Sequence, residues 1–150
     1  MDLRPATPAD TMNAIPRLVL AGLSGGSGKT ILSLGLASAW SRRGLAIAPF
    51  KKGPDYIDAA WLGLAAGRPA CNLDPFLMAP EAVRALFMER AAGFDLALVE
   101  GNRGLFDGGD AQGSVATSQL ARTLEAPLAL VIDATKMTRT AAAIVHGCNT

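Results

Sequence analysis

The chain is poor in the side chains that build metal and redox centres. It carries one histidine, His146, and two cysteines, Cys71 and Cys148, in 150 residues. One histidine excludes every zinc motif that needs two. A Ser-His-Asp arrangement would have to use His146, almost at the C-terminus. The cysteines lie far apart and form no Cys-x-x-Cys pair, so a disulfide framework and a four-ligand zinc knuckle are both excluded. Reduced, buried thiols are expected instead. Charge of one sign is also lacking, with 14 basic against 13 acidic residues and a net charge of +1. No global field recruits nucleic acid or an anionic membrane, and any anion must be captured by local geometry. No apolar run approaches the roughly 18–20 residues that span a bilayer. The opening MDLRPATPADTMNAIP lacks a basic stretch followed by an apolar one. Residues 1–16 read as a flexible lead, and a cytoplasmic location is expected.

Half the residues are apolar, 18% are charged and the mean hydropathy is +0.27. That composition belongs to a folded chain, and the length to one domain. Short apolar runs alternate with helical stretches. Strands are expected over 17–21, 45–50, 95–100 and 127–133. Helices are expected over 30–43, 59–66, 80–92, 114–124 (with Ser114 as cap) and from 138 to 147. Residues 51–58 and 101–113 read as loops, and 71–75 as irregular. Buried-type strands alternating with helices predict an α/β fold with an open, mostly parallel sheet, layered by helices on both sides. In such sheets ligands bind beyond the carboxyl ends of the strands. The segments beginning at Gly22, Lys51, Gly101 and Ala134 should converge there.

Between the first strand and first helix stands Gly22-Leu-Ser-Gly-Gly-Ser-Gly-Lys-Thr30. It resembles a Walker A phosphate loop, with the leading glycine offset by one. Glycines let successive backbone N–H groups turn inward, and the following helix aims its free N–H groups and positive dipole end at the same point. Ser24, Gly25, Gly26, Ser27, Gly28, Lys29 and Thr30 are the candidate phosphate-binding residues. Lys29 would reach the β/γ-phosphates and the Thr30 hydroxyl would join Mg²⁺. A plain glycine-rich turn is the alternative, disfavoured by Lys29, Thr30 and the strand–loop–helix flanks. Partition-type ATPases carry a lysine where Ser24 stands, so that subclass is disfavoured.

A nucleotide-bound Mg²⁺ takes one or two carboxylates with phosphates and water. Glu100 ends the apolar run DLALV and is the first candidate. Asp55 and Asp58 could face one pocket, or act as turn and cap residues. Asp107, in GLFDGGD, is equally a turn residue or a functional one. Lys51, Lys52 and Arg103 are cations on the same side of the sheet, available to an anionic substrate. Lys136 and Arg139 read as solvated.

Together GLSGGSGKT, PFKKGPDYID, NLDPF and VEGNRGLFDG resemble the N-terminal synthetase domain of the cobyrinate a,c-diamide synthase family, within the dethiobiotin synthetase-like superfamily. The resemblance implies a P-loop NTPase-like three-layer sandwich over 17–150. It implies an ATP- and Mg²⁺-dependent amide ligase that converts peripheral carboxylates of a tetrapyrrole-derived ring, a corrinoid such as cobyrinate or hydrogenobyrinate, to acyl phosphates for amidation. Carried over by motif, Thr30, Asp55 and Glu100 would hold Mg²⁺. Asp58 and Asp107 would lie by the substrate carboxylate, and Lys29 would stabilise charge on the γ-phosphate. Nitrogen would come as ammonia, free or from a C-terminal glutaminase domain, and a homodimer is a further expectation. Lys52, Asn102 and Arg103 depart from the family pattern, and extra cations there could suit a sirohydrochlorin-type ring. The stop at Thr150 is read as a truncation, with the glutaminase domain absent. Two alternatives stay open: another carboxylate-activating ligase such as a dethiobiotin synthetase relative, or a nucleotide-binding module acting through a partner.

Overall fold

The structure, a computed structural model, describes residues 15–149. Of the expected flexible lead, residues 1–14 lie outside the described residues, as does Thr150. The described elements alternate without exception: β1 (Arg17–Gly22), α1 (Lys29–Arg42), β2 (Ile47–Lys52), α2 (Tyr56–Ala66), β3 (Cys71–Leu73), α3 (Pro80–Ala91), β4 (Leu96–Gly104), α4 (Thr117–Thr123), β5 (Leu128–Val131) and α5 (Arg139–Gly147). The strands form one sheet in the order β3-β2-β4-β1-β5, and every pairing is parallel. The expected α/β sheet is therefore observed, and it is wholly parallel.

Period-two alternation divides the side chains of the central strands between two cores. On one face Val19, Ala48, Phe50, Ala97 and Val99 pack with Val83, Phe87 and Ala91 of α3 and with Leu120 and Ala121 of α4. The Phe50 and Phe87 rings lie 5.1 Å apart. On the other face Leu20, Ile47 and Leu98 meet Ala37 of α1 and Leu62 and Ala66 of α2. Burial on both faces explains why these strands read as unbroken apolar runs. It also makes the fold a three-layer sandwich.

Several expectations need correction. The helix expected from 59 starts at Tyr56, inside the expected loop, where the Asp55 cap opens it, and the strand expected over 127–133 spans only Leu128–Val131, the length that pairs with β1. The second strand begins at Ile47 and runs through Lys51 and Lys52. The expected loop start is thus strand, because β3 pairs with both lysines and β4 with Lys51, and Lys51 finds carboxylates instead of water. The third expected strand continues past Glu100 to Gly104. There β1 and β4 shift register, so that Gly22 pairs Gly104. Residues 71–73 are not irregular but a short edge strand beside β2. Ser114 is no cap: α4 starts at Thr117 behind Ala116, and the Ser114 backbone N–H donates to Asp110 Oδ1 at 2.9 Å. Cys71 and Cys148 are free, as expected, but half-buried.

Candidate functional site

Strand register decides what meets at the carboxyl end of the sheet. Lys51 of β2 lies directly beside Glu100 of β4. Each is two or four residues on from a side chain of the α1/α2 core, Ile47 for Lys51 and Leu98 for Glu100. Both therefore point toward α1 and α2. Those helices supply Thr30 and Asp58 from their first turns. The Thr30 hydroxyl donates to Glu100 Oε1 at 2.8 Å and reaches Asp58 Oδ2 at 3.4 Å. Lys51 Nζ donates to the same Glu100 oxygen at 2.8 Å, to Asp58 Oδ2 at 3.0 Å and to the Gly101 carbonyl at 3.2 Å. Asp55 Oδ2 is farther away, at 3.8 Å.

Lys51 is 1% exposed and Glu100 is fully buried. Burial alone would lower the Lys51 pKa, but hydrogen bonds and charge from Glu100, then from Asp58, outweigh it and hold the ammonium above its ordinary value. Asp58 is desolvated too, yet its carboxyl is held below the ordinary range, chiefly by Lys51. Lys52, the next residue, projects to the opposite face and behaves oppositely. It is 8% exposed. Burial pushes its ammonium down, Asp74 opposes that, and Arg103 and Lys51 add to it.

The glycine loop lies beside this cluster. Gly26 and Gly28 hold left-handed φ values of 76° and 84°, which a side chain resists. The Ser27 hydroxyl donates to the Ser24 carbonyl at 2.7 Å and accepts from the Ser24 N–H at 3.1 Å, closing the loop on itself. A Cβ on Gly22 would lie 2.8 Å from the Ser24 carbonyl oxygen and 3.5 Å from Lys29 Nζ. The Lys29 ammonium thus folds back over the start of the loop. Gly28 precedes α1 with no capping side chain, which leaves the first-turn amides to an outside acceptor.

Asp55 and Asp107 are placed differently. Asp55 is the N-cap of α2, and its Oδ1 accepts from the N–H groups of Ile57 and Asp58, both at 3.1 Å. Asp107 is exposed, and its Oδ2 accepts from the Gly104 N–H at 3.0 Å, as a turn residue does. Since Gly104 pairs Gly22, that turn borders the glycine loop. Arg103 is exposed with φ at 53°. Lys136 and Arg139 are exposed, as expected. Sequence reasoning missed two features. The placement of Lys51 among carboxylates was legible in parity, since Ile47 and Lys51 must share a face if the strand continues. Thr117, fully buried, donates from its hydroxyl to the Asn102 carbonyl at 3.0 Å and ties α4 to the end of β4; no spacing signalled it.

Does this set suit Mg²⁺? Among the described residues no three His, Cys, Asp or Glu side chains form a metal cage of their own. Glu100 Oε2, however, is buried without a hydrogen-bond partner, an open acceptor beside a hydroxyl and a second carboxylate. A site with one or two carboxylates, completed by phosphate oxygens and water, is what Mg²⁺ accepts. The residues fit.

A parallel sheet whose first strand runs through a glycine turn into a helix opened by Lys29-Thr30 defines a phosphate-loop nucleotide-binding fold. The solved structure of chloroplast FtsY from Physcomitrella patens shares it, with a TM-score of 0.55 over 99% of this chain and 48% of that one at 19% identity. The family model described as the CobQ/CobB/MinD/ParA nucleotide binding domain matches residues 18–150, and the chain belongs to that family. It is 50% identical over 142 residues to hydrogenobyrinate a,c-diamide synthase of Streptomyces coelicolor. It is 49% identical over 133 residues to cobyrinate a,c-diamide synthase of Magnetococcus marinus. These alignments cover 94% and 89% of this chain but only 29% and 28% of the relatives, so the chain spans under a third of their length. The resemblance seen in the motifs thus extends over nearly the whole chain.

Proposed function

We propose that residues 17–150 are the ATP-binding part of an a,c-diamide synthase, which activates ring carboxylates of a cobyrinate- or hydrogenobyrinate-type substrate for amidation. The observation that carries this is the convergence of Thr30, Glu100, Asp58 and Lys51 within hydrogen-bond reach at the head of α1, beside the glycine loop. The likeness to synthases of that name supports the substrate class.

In this reading residues 24–30 cradle the triphosphate through backbone N–H groups, and Lys29 neutralises charge on the γ-phosphate. Thr30 and Glu100 hold Mg²⁺; Asp55, whose Oδ1 caps α2, turns its other oxygen to the same end of the sheet. Mg²⁺, when bound, neutralises charge on the phosphates and fixes their orientation. Asp58, and Asp107 from the turn by Gly104, border the place where the substrate carboxylate enters. A carboxylate oxygen takes the γ-phosphoryl group and ADP leaves. Ammonia then attacks the acyl carbon, phosphate departs with the C–O electrons, and one proton is lost as the amide forms. The chain's part is positioning and charge neutralisation, which phosphoryl transfer needs most. The ammonia would be supplied by glutamine hydrolysis outside these residues or taken from solution.

The test is ATP turnover by the chain with ammonia, Mg²⁺ and cobyrinate or hydrogenobyrinate. Stimulation by either ring is expected, and Lys29→Ala and Glu100→Gln should each lower the rate at least about 100-fold. Stimulation by diaminopelargonate instead would move the assignment to a dethiobiotin synthetase-like ligase. Stimulation by sirohydrochlorin would move the ring.

A further inference from the structure

Lys51 is not part of the glycine loop, yet its ammonium sits where the oxygens of the cluster meet. It has three N–H donors and uses them on three oxygens: Glu100 Oε1 at 2.8 Å, Asp58 Oδ2 at 3.0 Å and the Gly101 carbonyl at 3.2 Å. The group is saturated. Glu100 is fully buried and has no other cation among its described contacts. Without Lys51 it would stand as a buried charge held only by the Thr30 hydroxyl, a strongly unfavourable state.

We propose that Lys51 is the resident counter-cation of the Glu100–Thr30–Asp58 oxygen set, and that it keeps Mg²⁺ out until phosphate oxygens arrive. This rests on the reading of Thr30 and Glu100 as metal-holding residues. A divalent ion approaching Thr30 Oγ1 and Glu100 Oε1 competes with the ammonium for one oxygen, or meets it as a neighbouring like charge in poorly solvated surroundings. Either is costly. Phosphates carry the negative charge that offsets three positive charges in one crevice. The backbone of Lys51 is fixed between β3 and β4, so the adjustment falls on a flexible four-carbon side chain and needs no strand to move. The free acceptor, Glu100 Oε2, gives the incoming ion a foothold once the charge is balanced. Metal and nucleotide would then bind as a unit, and the nucleotide-free chain would neither waste binding on free Mg²⁺ nor leave Glu100 unpaired.

The test is calorimetric Mg²⁺ binding together with the melting temperature, on the wild-type chain and on Lys51→Met, first without nucleotide and then with ADP. The wild type should show no binding or stabilisation from millimolar Mg²⁺ alone, and both with ADP. Lys51→Met should melt lower, bind Mg²⁺ alone at least about tenfold more tightly than wild type, and recover melting temperature as Mg²⁺ is added. If Lys51→Met does not fold, Lys51→Gln, which keeps a donor to Glu100, carries the same comparison. Wild-type binding of Mg²⁺ alone as tight as the variant's overturns the proposal while leaving the metal site intact. Absence of Mg²⁺ binding even with ADP, in both proteins, overturns the metal site and the proposal with it.

Discussion

Asp55 and Asp58 stand three residues apart on the same turn, and chain position alone divides their work. Asp55 precedes α2, where its Oδ1 takes two backbone N–H groups that would otherwise be orphaned. Asp58 is already helical, so its carboxylate is free to reach Lys51 and Thr30. Asp55→Ala should therefore cost about 1 kcal/mol in urea denaturation, and Asp55→Asn much less. A second effect follows from the same contact. Loosening the first turn of α2 moves Asp58, so Asp55→Ala should also weaken nucleotide binding, whereas Asp55→Asn should restore it together with the cap. Lys51 and Lys52 make the same point about neighbours. One residue of offset in a strand sends them to opposite faces: Glu100 and Asp58 outweigh burial at Lys51, whereas at Lys52 burial prevails over Asp74, with opposite consequences for their ammonium groups.

At the scale of elements, the carboxyl end of β4 is the most tightly constrained. A Cβ on Gly101 would lie 2.5 Å from Thr117 Cγ2 and 2.9 Å from the Leu20 carbonyl oxygen. Neither can retreat easily, since Leu20 belongs to a buried central strand and Thr117 is bonded to Asn102. Gly101→Ala should cost about 1–3 kcal/mol as the strand shifts. Because Glu100 shifts with it, the nucleotide-induced rise in melting temperature should shrink as well. Thr117→Ser, which keeps the hydroxyl and deletes Cγ2, should partly rescue the double variant in both measurements. The same end of β4 shows where the sequence was legible and where it was not. Runs such as RLVLA and DLALV announce strands covered on both faces, because hydrocarbon on both sides leaves no polar alternation. Lys51, Lys52, Asn102 and Arg103 do not, since charge at a strand end reads as the start of a loop. Only tertiary partners keep the ladder going through them. β3 is three residues long, too short for any periodicity, and it exists because β2 offers it an edge. The glycine loop and Glu100 were readable because their residue types are tied to local geometry; the cage around Lys51 depends on strand order, which no single segment encodes.

For the whole molecule these charges set how stability follows pH. Asp58 is held below its ordinary 3.8, so its contribution is present above that value and lost as pH falls through the lower folded-state value. Lys51 is held above its ordinary 10.5. Its contribution is complete below 10.5 and lost as pH rises through the higher folded-state value. Lys52 has the reverse sign. Its ammonium is held below 10.5 in the fold, so the unfolded chain binds more protons in that window and stability rises with pH there. Burial also holds the Cys71 thiol above its ordinary 9.0, which subtracts from stability as pH rises past that value. Differences from wild type isolate each lysine: denaturation midpoints of Lys52→Met should lack a rising contribution below 10.5, and those of Lys51→Met a falling one above it.

The pairing of Lys51 with Glu100 across adjacent strands has a meaning for assembly as well as chemistry. If β2 slid by one residue along β4 so that Phe50 came opposite Glu100, Lys51 would swing to the side of Phe87, stranding an ammonium in hydrocarbon and leaving Glu100 unmatched. Hydrophobic side chains tolerate approximate alignment; this ion pair does not. The same two residues proposed to act in the nucleotide crevice thereby proofread the sheet, so a chain with its strands misaligned would lack both its foundation and its workplace.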